Sequence, residues 1–347
     1  MSSTWPQIHL RDWVANASAN LLWEGFLRIP VSITLPSRQK NASYLFSPRS
    51  AWFDYLAHEC RSQPLLVLLI QALGKLSFLL GIDRTIFVGN YPISTSIWST
   101  EQEQEIHSIA SQMQQAHPNY YVGIRNLLPH RHPALINQLQ SSGFYGIPSR
   151  VIYEFDLRDE ALQIPSHLKR DLTLFKKLQM QVEITTQLDQ ISLLRIQALY
   201  QKIYLEKHSL LNPQYTQEFF EDVVRSGVMS CLLVRNSSGQ ICSFALLQST
   251  QQTLTVPALG YDPALDLEGS YRVLFAAIYS YANEERVLLN YSSGAGDFKR
   301  KRGASAHLEY TFLASPISGN WLQRKILKVV ANKSLGISAQ DLIKLGA

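Results

Sequence analysis

Apolar positions recur at helical spacing in some stretches and in short extended runs in others. The clearest helix is Ser270 to Glu285. There Leu274, Ala277, Ile278 and Tyr281 fall at i, i+3, i+4 and i+7, so one face is apolar. It lies between an extended run, Thr253 to Asp262, and a short strand, Val287 to Tyr291. A glycine-containing turn, Ser292 to Gly303, and a last strand, His307 to Leu313, follow. Strand, helix, strand in this order predicts a right-handed parallel crossover. Ligand sites form at the carboxyl ends of such strands, here Gly260, Tyr261 and Asp262 on one and Tyr291, Ser292 and Ser293 on the other. The helix would start at Gly269-Ser270, with its first free N–H groups facing that site.

The first half of the chain repeats the alternation. Met1 to Trp23 reads as a polar start with a short helix. Ile29 to Leu35 reads as a strand, Pro36 to Asn41 as its turn, and Ala42 to Phe46 as the antiparallel return. Arg49 to Cys60 and Leu65 to Leu80 read as helices and Arg84 to Tyr91 as a strand. Thr100-x-x-Glu103 reads as a capping box opening a helix with Ile106, Ile109, Ala110 and Met113 on one face. Asn119 to Leu127 and Tyr145 to Leu157 read as strands, with a helix between them from Pro133 to Gly143. From Pro165 the order is a basic helix, Ser166 to Leu178, a strand, Met180 to Thr185, and helices Gln190 to Lys207 and Pro213 to Ser226. A hairpin around Asn236-Ser-Ser-Gly239 leads into the crossover. The expected class is α/β with a mixed sheet in two copies of one fold, residues 1–160 and 161–347.

Composition narrows this only a little. A chain of 347 residues, 46% hydrophobic and 17% charged, is core-forming and long enough for two domains. A net charge of +5 permits a phosphate-bearing ligand without demanding nucleic acid. Cys60, Cys231 and Cys242 have no metal-ligand spacing, and His130-Arg-His132 reads as loop, so no metal is expected. The first thirty residues lack a signal-peptide pattern, which makes the cytoplasm the expected location. Asn16, Asn41, Asn236 and Asn332, each in Asn-x-Ser, then read as surface polar residues. Leu65 to Leu80 falls short of the ~20 residues of a spanning helix and contains Lys75. Trp321 to Lys333 mixes apolar residues with Arg324, Lys325 and Lys328. Peripheral membrane contact is therefore open while stable insertion is not expected.

Two motifs resemble the GNAT acyltransferase superfamily, in particular the tandem-domain branch of Fem-type aminoacyl transferases and related polysaccharide and peptide N-acyltransferases. One is Gly294-Ala-Gly-Asp-Phe298-Lys299-Arg-Lys-Arg-Gly303 after a strand. The other is Ser166-His-Leu-Lys169-Arg170-Asp-Leu-Thr-Leu-Phe-Lys176-Lys177. The resemblance implies two tandem GNAT-like domains, the first non-catalytic and the second carrying the active site. It implies transfer of an acyl or aminoacyl group, from acyl-CoA or aminoacyl-tRNA, to an amine. No cofactor would be bound permanently, and acyl-CoA would be a co-substrate. A tRNA or a carrier protein could bring the donor, and the acceptor would be a small molecule or a peptide. A catalytically degenerate pair that only binds a ligand or partner is the alternative.

By the same resemblance, Lys299 would bind a phosphate or the developing oxyanion; of its candidate catalytic neighbours, Tyr291 reads as an acid or hydrogen-bond partner or else as core, and Asp297 also reads as the cap of the short helix. Gly260, Tyr261, Gly269, Ser270, Tyr271, Arg272, Ser292, Ser293 and Phe298 would hold the donor; Glu206 and His208, at the end of the long helix, read either as lining the acceptor pocket or as a surface helix end. The loop ahead of the helix carries Asp266 and Glu268, which would repel a pyrophosphate, so both donor classes stay open. The residues themselves also allow a blander reading, in which Lys299, Arg300, Lys301 and Arg302 are a solvated basic face that adds little to the core.

Overall fold

The computed structural model describes residues 5–6, 8–35, 41–159, 163–250, 252–263, 269–334, 336 and 338–344. The turn expected at Pro36 to Asn41, all but its last residue, and the acids Asp266 and Glu268 lie outside these. In chain order the first half runs α1 (Leu10–Trp13), β1 (Ala19–Glu24), β2 (Ile29–Thr34), a π-helical turn (Ser50–Asp54), α2 (Tyr55–Glu59), α3 (Pro64–Leu79), β3 (Thr85–Val88), α4 (Thr100–Ala116), β4 (Tyr121–Leu127), α5 (Pro133–Ser141) and β5 (Tyr145–Asp156). The second half runs α6 (Ser166–Lys177), β6 (Gln181–Thr185), α7 (Gln190–Tyr200), a second π-helical segment (Gln201–His208), α8 (Gln217–Arg225), β7 (Ser230–Arg235), β8 (Ile241–Thr250), β9 (Thr253–Tyr261), α9 (Ser270–Glu284), β10 (Leu288–Asn290), α10 (Gly296–Arg300), β11 (Ser305–Ala314), α11 (Trp321–Ser334) and α12 (Ala339–Lys344).

The chain folds into two compact units. One is built from Ile152–His208 and Gln214–His307, the other from His9–Val151, Ser209–Pro213 and the chain from Leu308 onward. Both share one pairing pattern. In the first-half unit β2 and β3 are antiparallel, β3 and β4 parallel, and β4 and β11 antiparallel. In the second-half unit β8 and β9 are antiparallel, β9 and β10 parallel, and β10 and β5 antiparallel. The closing strand of each half is thus exchanged: β5 completes the second-half unit and β11 the first. A division at 160/161 follows the order of elements along the chain; the compact units trade their last strands across it.

In each unit the crossover helix covers its parallel pair. Leu274, Ala277 and Ile278 are buried as the spacing predicts. Val273, Phe275, Ala276 and Tyr279 are buried as well, because α9 meets α6 on its other side. Phe155, Leu168, Leu254 and Leu289 join them in the second-half core. The first-half core gathers Ile86, Val122, Ile106, Ile109, Leu135 and Phe312.

Several local expectations shift. The cap of α4 is Ser99, one residue earlier than expected, with Gln102 completing the box: the Ser99 hydroxyl accepts from Gln102 N at 3.2 Å and Ser99 N donates to Gln102 at 3.1 Å. Ser-Thr and Gln-Glu doublets at the two positions allow either register. The antiparallel partners of β2 are β1 and β3, not Ala42 to Phe46. That segment forms turns, and Asn90 and Arg125 side chains bond its Leu45 carbonyl. Asn16 is buried, not a surface residue; its amide donates to the carbonyls of Asn41, Leu210 and Asn212. The helix expected from Gln190 to Lys207 becomes π-helical after Tyr200.

Candidate functional site

Strands β9 and β10 pair only at Thr253–Thr255 with Leu288–Asn290. Beyond that point they part. β9 stays with β8 as far as Tyr261 opposite Ser243. The chain after β10 turns to β5, where Tyr291 N donates to the Tyr153 carbonyl at 3.0 Å and Tyr153 N to that of Ser292 at 3.1 Å. The carboxyl ends of the two strands therefore diverge beside the start of α9. Gly269 precedes that helix with φ 130°, a conformation L side chains rarely adopt, so glycine is required. The Ser270 hydroxyl donates to the Asp262 carbonyl at 3.2 Å and fixes the helix start to the end of β9.

Aromatic rings cross this divergence. Tyr261 on β9 meets Tyr271 at 5.5 Å between centroids, and Tyr271 meets Phe298 of α10 at 4.7 Å. Phe298 packs on Phe275 at 5.3 Å, and Phe275 on Tyr291 at 5.1 Å. The chain of rings links both strand ends to α9 and α10. The Tyr291 hydroxyl is buried and makes no hydrogen bond. The Tyr271 phenol lies within reach of that hydroxyl and is the side chain best placed to bond it when either ring shifts. Burial, then the Tyr271 and Tyr204 phenols, raises Tyr291 well above the usual phenol range; burial raises Tyr271 too. Both stay protonated in neutral water, which leaves each phenol a hydrogen to donate and makes neither a base. Tyr204, stacked on Tyr200 at 4.5 Å, belongs to the same group but gave no sequence signal, since it lies in the π-helical segment.

Lys299 does not stand on a solvated basic face. It is 2% exposed. Its ammonium donates to the carbonyls of Tyr291 at 2.7 Å, Ser293 at 2.9 Å and Ser292 at 3.3 Å, and lies over the rings of Tyr291 and Tyr153. An ammonium has three N–H donors, so Lys299 clamps the turn after β10. In that turn Ser292 and Ala295 hold positive φ. Ser292 and Ser293 meet Lys299 through their carbonyls.

Arg302 is buried as well. Its Nε bonds Asp171, its Nη1 donates to the Phe298 carbonyl at 2.9 Å, and its guanidinium covers the Phe298 ring at 3.3 Å. Arg272, expected at a pyrophosphate, donates from Nε to the other Asp171 oxygen at 2.6 Å. Fully buried Asp171 of α6 thus ties α9 to the end of α10. This makes the basic-looking helix Ser166 to Lys177 a structural element on its inner face. Its outer face keeps Lys169, Arg170, Lys176 and Lys177 exposed. Burial and the charges of Arg170, Arg302 and Lys301 lower the pKa of His167.

The remaining expected residues divide. Asp297 is exposed and paired with Arg300, which also reaches the Tyr153 hydroxyl at 3.0 Å. Glu206 and His208 are exposed in the π-helical segment. Between them Lys207 reaches the Tyr261 hydroxyl at 3.2 Å. Gly260 serves packing: a Cβ there would stand 2.6 Å from the Phe244 ring and 2.8 Å from the Leu199 backbone. Asp262, which the sequence marked only as a strand end, is buried and bound by Arg195 at 2.7 Å and Lys202 at 3.2 Å.

After the first parallel strand of the first-half unit, buried Asn90 donates to the Ser32 hydroxyl at 2.8 Å and to the Leu45 carbonyl at 3.0 Å and accepts from Arg125 at 3.1 Å. There Tyr91, Ile93 and Ile97 are buried and the Trp98 indole N–H closes on the Gly89 carbonyl at 2.9 Å.

No family model matches the chain, and no curated protein matches it. Solved structures do. The C-terminal domain of a protein assigned as lysylphosphatidylglycerol synthetase from Agrobacterium fabrum is similar with TM-score 0.54 and 11% identity, over 93% of this chain and 91% of that one. L-PGS from Bacillus licheniformis is similar with TM-score 0.52 and 9% identity, over 93% of both chains. FemX is similar with TM-score 0.48 and 11% identity, over 67% of this chain and 79% of that one. At such identities the likeness is one of fold. The chain has a mixed α/β fold in two units that share one pairing pattern, and over 93% of its length that fold is like those of the first two structures.

Proposed function

We propose that the chain is an acyl- or aminoacyltransferase that works where β9 and β10 part, in the second GNAT-like domain. The observation that carries this reading is the buried Tyr291 hydroxyl, left without a partner at the divergence of the strands. An unsatisfied buried donor costs stability, on the order of 1–3 kcal/mol, and functional sites are where such costs persist.

In this reading the donor carbonyl lies along β9, with its oxygen toward Tyr291. The partly buried Tyr271 ring swings to admit it. An amine, arriving neutral, forms its C–N bond at the carbonyl carbon, and the carbonyl π electrons move to oxygen, where the phenol donates to them. Collapse of the adduct breaks the bond to the thiol or ribose oxygen, which leaves with a proton. That proton is the one the amine gives up, carried through water or through Glu206 or His208. Lys299 positions the site by holding the Tyr291 turn, and Gly269, Ser270 and the Tyr261–Tyr271–Phe298 rings shape the donor channel. Asp297 then acts only through Arg300.

Exposed Arg170 and Lys301 offer charge to an anionic donor, which suits aminoacyl-tRNA as well as acyl-CoA. The Agrobacterium fabrum neighbour is assigned as a lysylphosphatidylglycerol synthetase, which puts aminoacyl donors first in the test. No permanently bound cofactor is needed; acyl-CoA is the candidate co-substrate. The acceptor is an amine of a small molecule or peptide, and the cytoplasm is the proposed compartment.

One observation favours a second reading, a binding module without turnover: Lys299, Arg272 and Arg302 all spend their charge on internal acceptors. The test is incubation with labelled aminoacyl-tRNA and, separately, with acyl-CoA thioesters, against a mixed set of amines. Label appearing in an acceptor supports the transferase. Saturable donor binding with no product supports the module.

A further inference from the structure

The first-half unit carries an apolar surface that its own core does not use. α3 faces inward only through Ile70, Gly74 and Ser77, at i, i+4 and i+7. Gly74 permits close packing there, since a Cβ would stand 3.0 Å from Phe53. Most of the rest of the helix is turned out. Leu65 is 85% exposed and Leu79 79%, and Leu68, Leu69, Leu76 and Phe78 are at least half exposed. The end of α3 adjoins α11: Gln323 donates to the Leu80 carbonyl at 2.8 Å, and the Tyr121 hydroxyl reaches the same oxygen. α11 adds exposed Trp321 and Leu322. Neither helix contains an acid. α3 has Lys75, and α11 has Arg324, Lys325, Lys328 and Lys333.

A soluble surface seldom exposes so many neighbouring large apolar side chains without a partner. We infer that α3 and the start of α11 dock this protein on the surface of an anionic lipid bilayer. α3 lies in the interface, and the basic residues of α11 face phosphate headgroups. Three points select a bilayer. At sixteen residues α3 is too short to cross, and no helix among the described residues is long and apolar enough to do so. Its apolar side chains are spread around most of its circumference, which suits a fluid apolar medium better than a fixed groove. The charge on both helices has one sign, complementary to anionic lipid. A two-fold dimer through this face would bring Arg324, Lys325 and Lys328 against their own copies. The inference rests on surface chemistry alone and stands whether or not the chain transfers acyl groups.

The test is co-sedimentation of the full chain with vesicles of phosphatidylglycerol and phosphatidylcholine in equal parts, beside vesicles of phosphatidylcholine alone, with analytical ultracentrifugation of the free protein. The expected result is binding to the anionic vesicles that weakens with added salt. Leu65→Glu with Leu69→Glu, both outside the core, should abolish it without changing the thermal transition. Lys325→Gln and Lys328→Gln should each weaken it about fivefold, the equivalent of ~1 kcal/mol per basic residue at an anionic surface. No sedimentation with either vesicle would overturn the inference. So would a stable dimer that Leu65→Glu with Leu69→Glu converts to monomer, or vesicle binding that these substitutions leave unchanged.

Discussion

Lys299 donates to the carbonyl oxygen of Tyr291 at 2.7 Å and lies over the ring of the same residue at 4.8 Å. One buried ammonium therefore holds both the backbone and the side chain that close the end of β10. Lys299→Ala should lower stability by about 2–4 kcal/mol, because three carbonyls lose their donor inside the protein. Urea denaturation measures this. A loss within about half a kcal/mol, the size expected of a solvated side chain, would contradict the clamp.

Asp171 makes a similar prediction from the acid side. Asp171→Ala leaves buried Arg302 without its carboxylate and frees Arg272. The expected cost is roughly 3–5 kcal/mol. Asp171→Leu with Arg302→Met should recover much of it, since an apolar replacement of the pair leaves no charge stranded. Thermal melts of the single and double variants decide this.

These two clusters show what the sequence could and could not reveal. The crossover helix was legible because Leu274, Ala277 and Ile278 obey a local period that burial follows. The basic run at Lys299 to Arg302 was legible only as charge. Lys299 and Arg302 are inside because of carbonyls 6, 7 and 8 residues earlier and an acid 131 residues away. The exchange of β5 and β11 left no local trace either, since each strand has the same alternation whichever neighbour it joins. The meeting of Tyr204, Tyr261, Tyr271 and Tyr291 is of the same kind. Each was readable as a residue, and only folding makes them a group.

Gly260 is predicted to be intolerant for packing reasons alone. Gly260→Ala places a Cβ against the Leu199 backbone, which cannot swing aside as a side chain can. A loss of about 1–3 kcal/mol is expected from such overpacking. Gly294→Ala has open space around its Cβ, although its φ of 79° adds backbone strain. It should therefore show strain without a clash, and the smaller shift in the denaturation midpoint of the two.

The raised phenols give a pH dependence. Tyr271 and Tyr291 keep their protons in the folded state to higher pH than in the unfolded chain, where a phenol titrates near 10. The folded state then binds more protons above that pH, so this contribution is fully present below about 10 and is lost as pH rises beyond it. Denaturation midpoints followed from pH 7 to about pH 11 should be level with respect to these groups and then fall. Phenolate absorbance should appear in part only with unfolding. Full ionisation of all tyrosines in the folded state would contradict the burial assigned to this pair.

The most direct measurement is Tyr291→Phe, with stability and transfer read on the same preparation. The substitution removes one oxygen that has no hydrogen bond. Folding should therefore be unharmed, or strengthened by up to about 1 kcal/mol. If that oxygen serves the developing oxyanion, transfer should fall on the order of a hundredfold, the scale of losing one such donor. Stability held and transfer lost is the predicted result. Transfer unchanged in Tyr291→Phe would contradict the site.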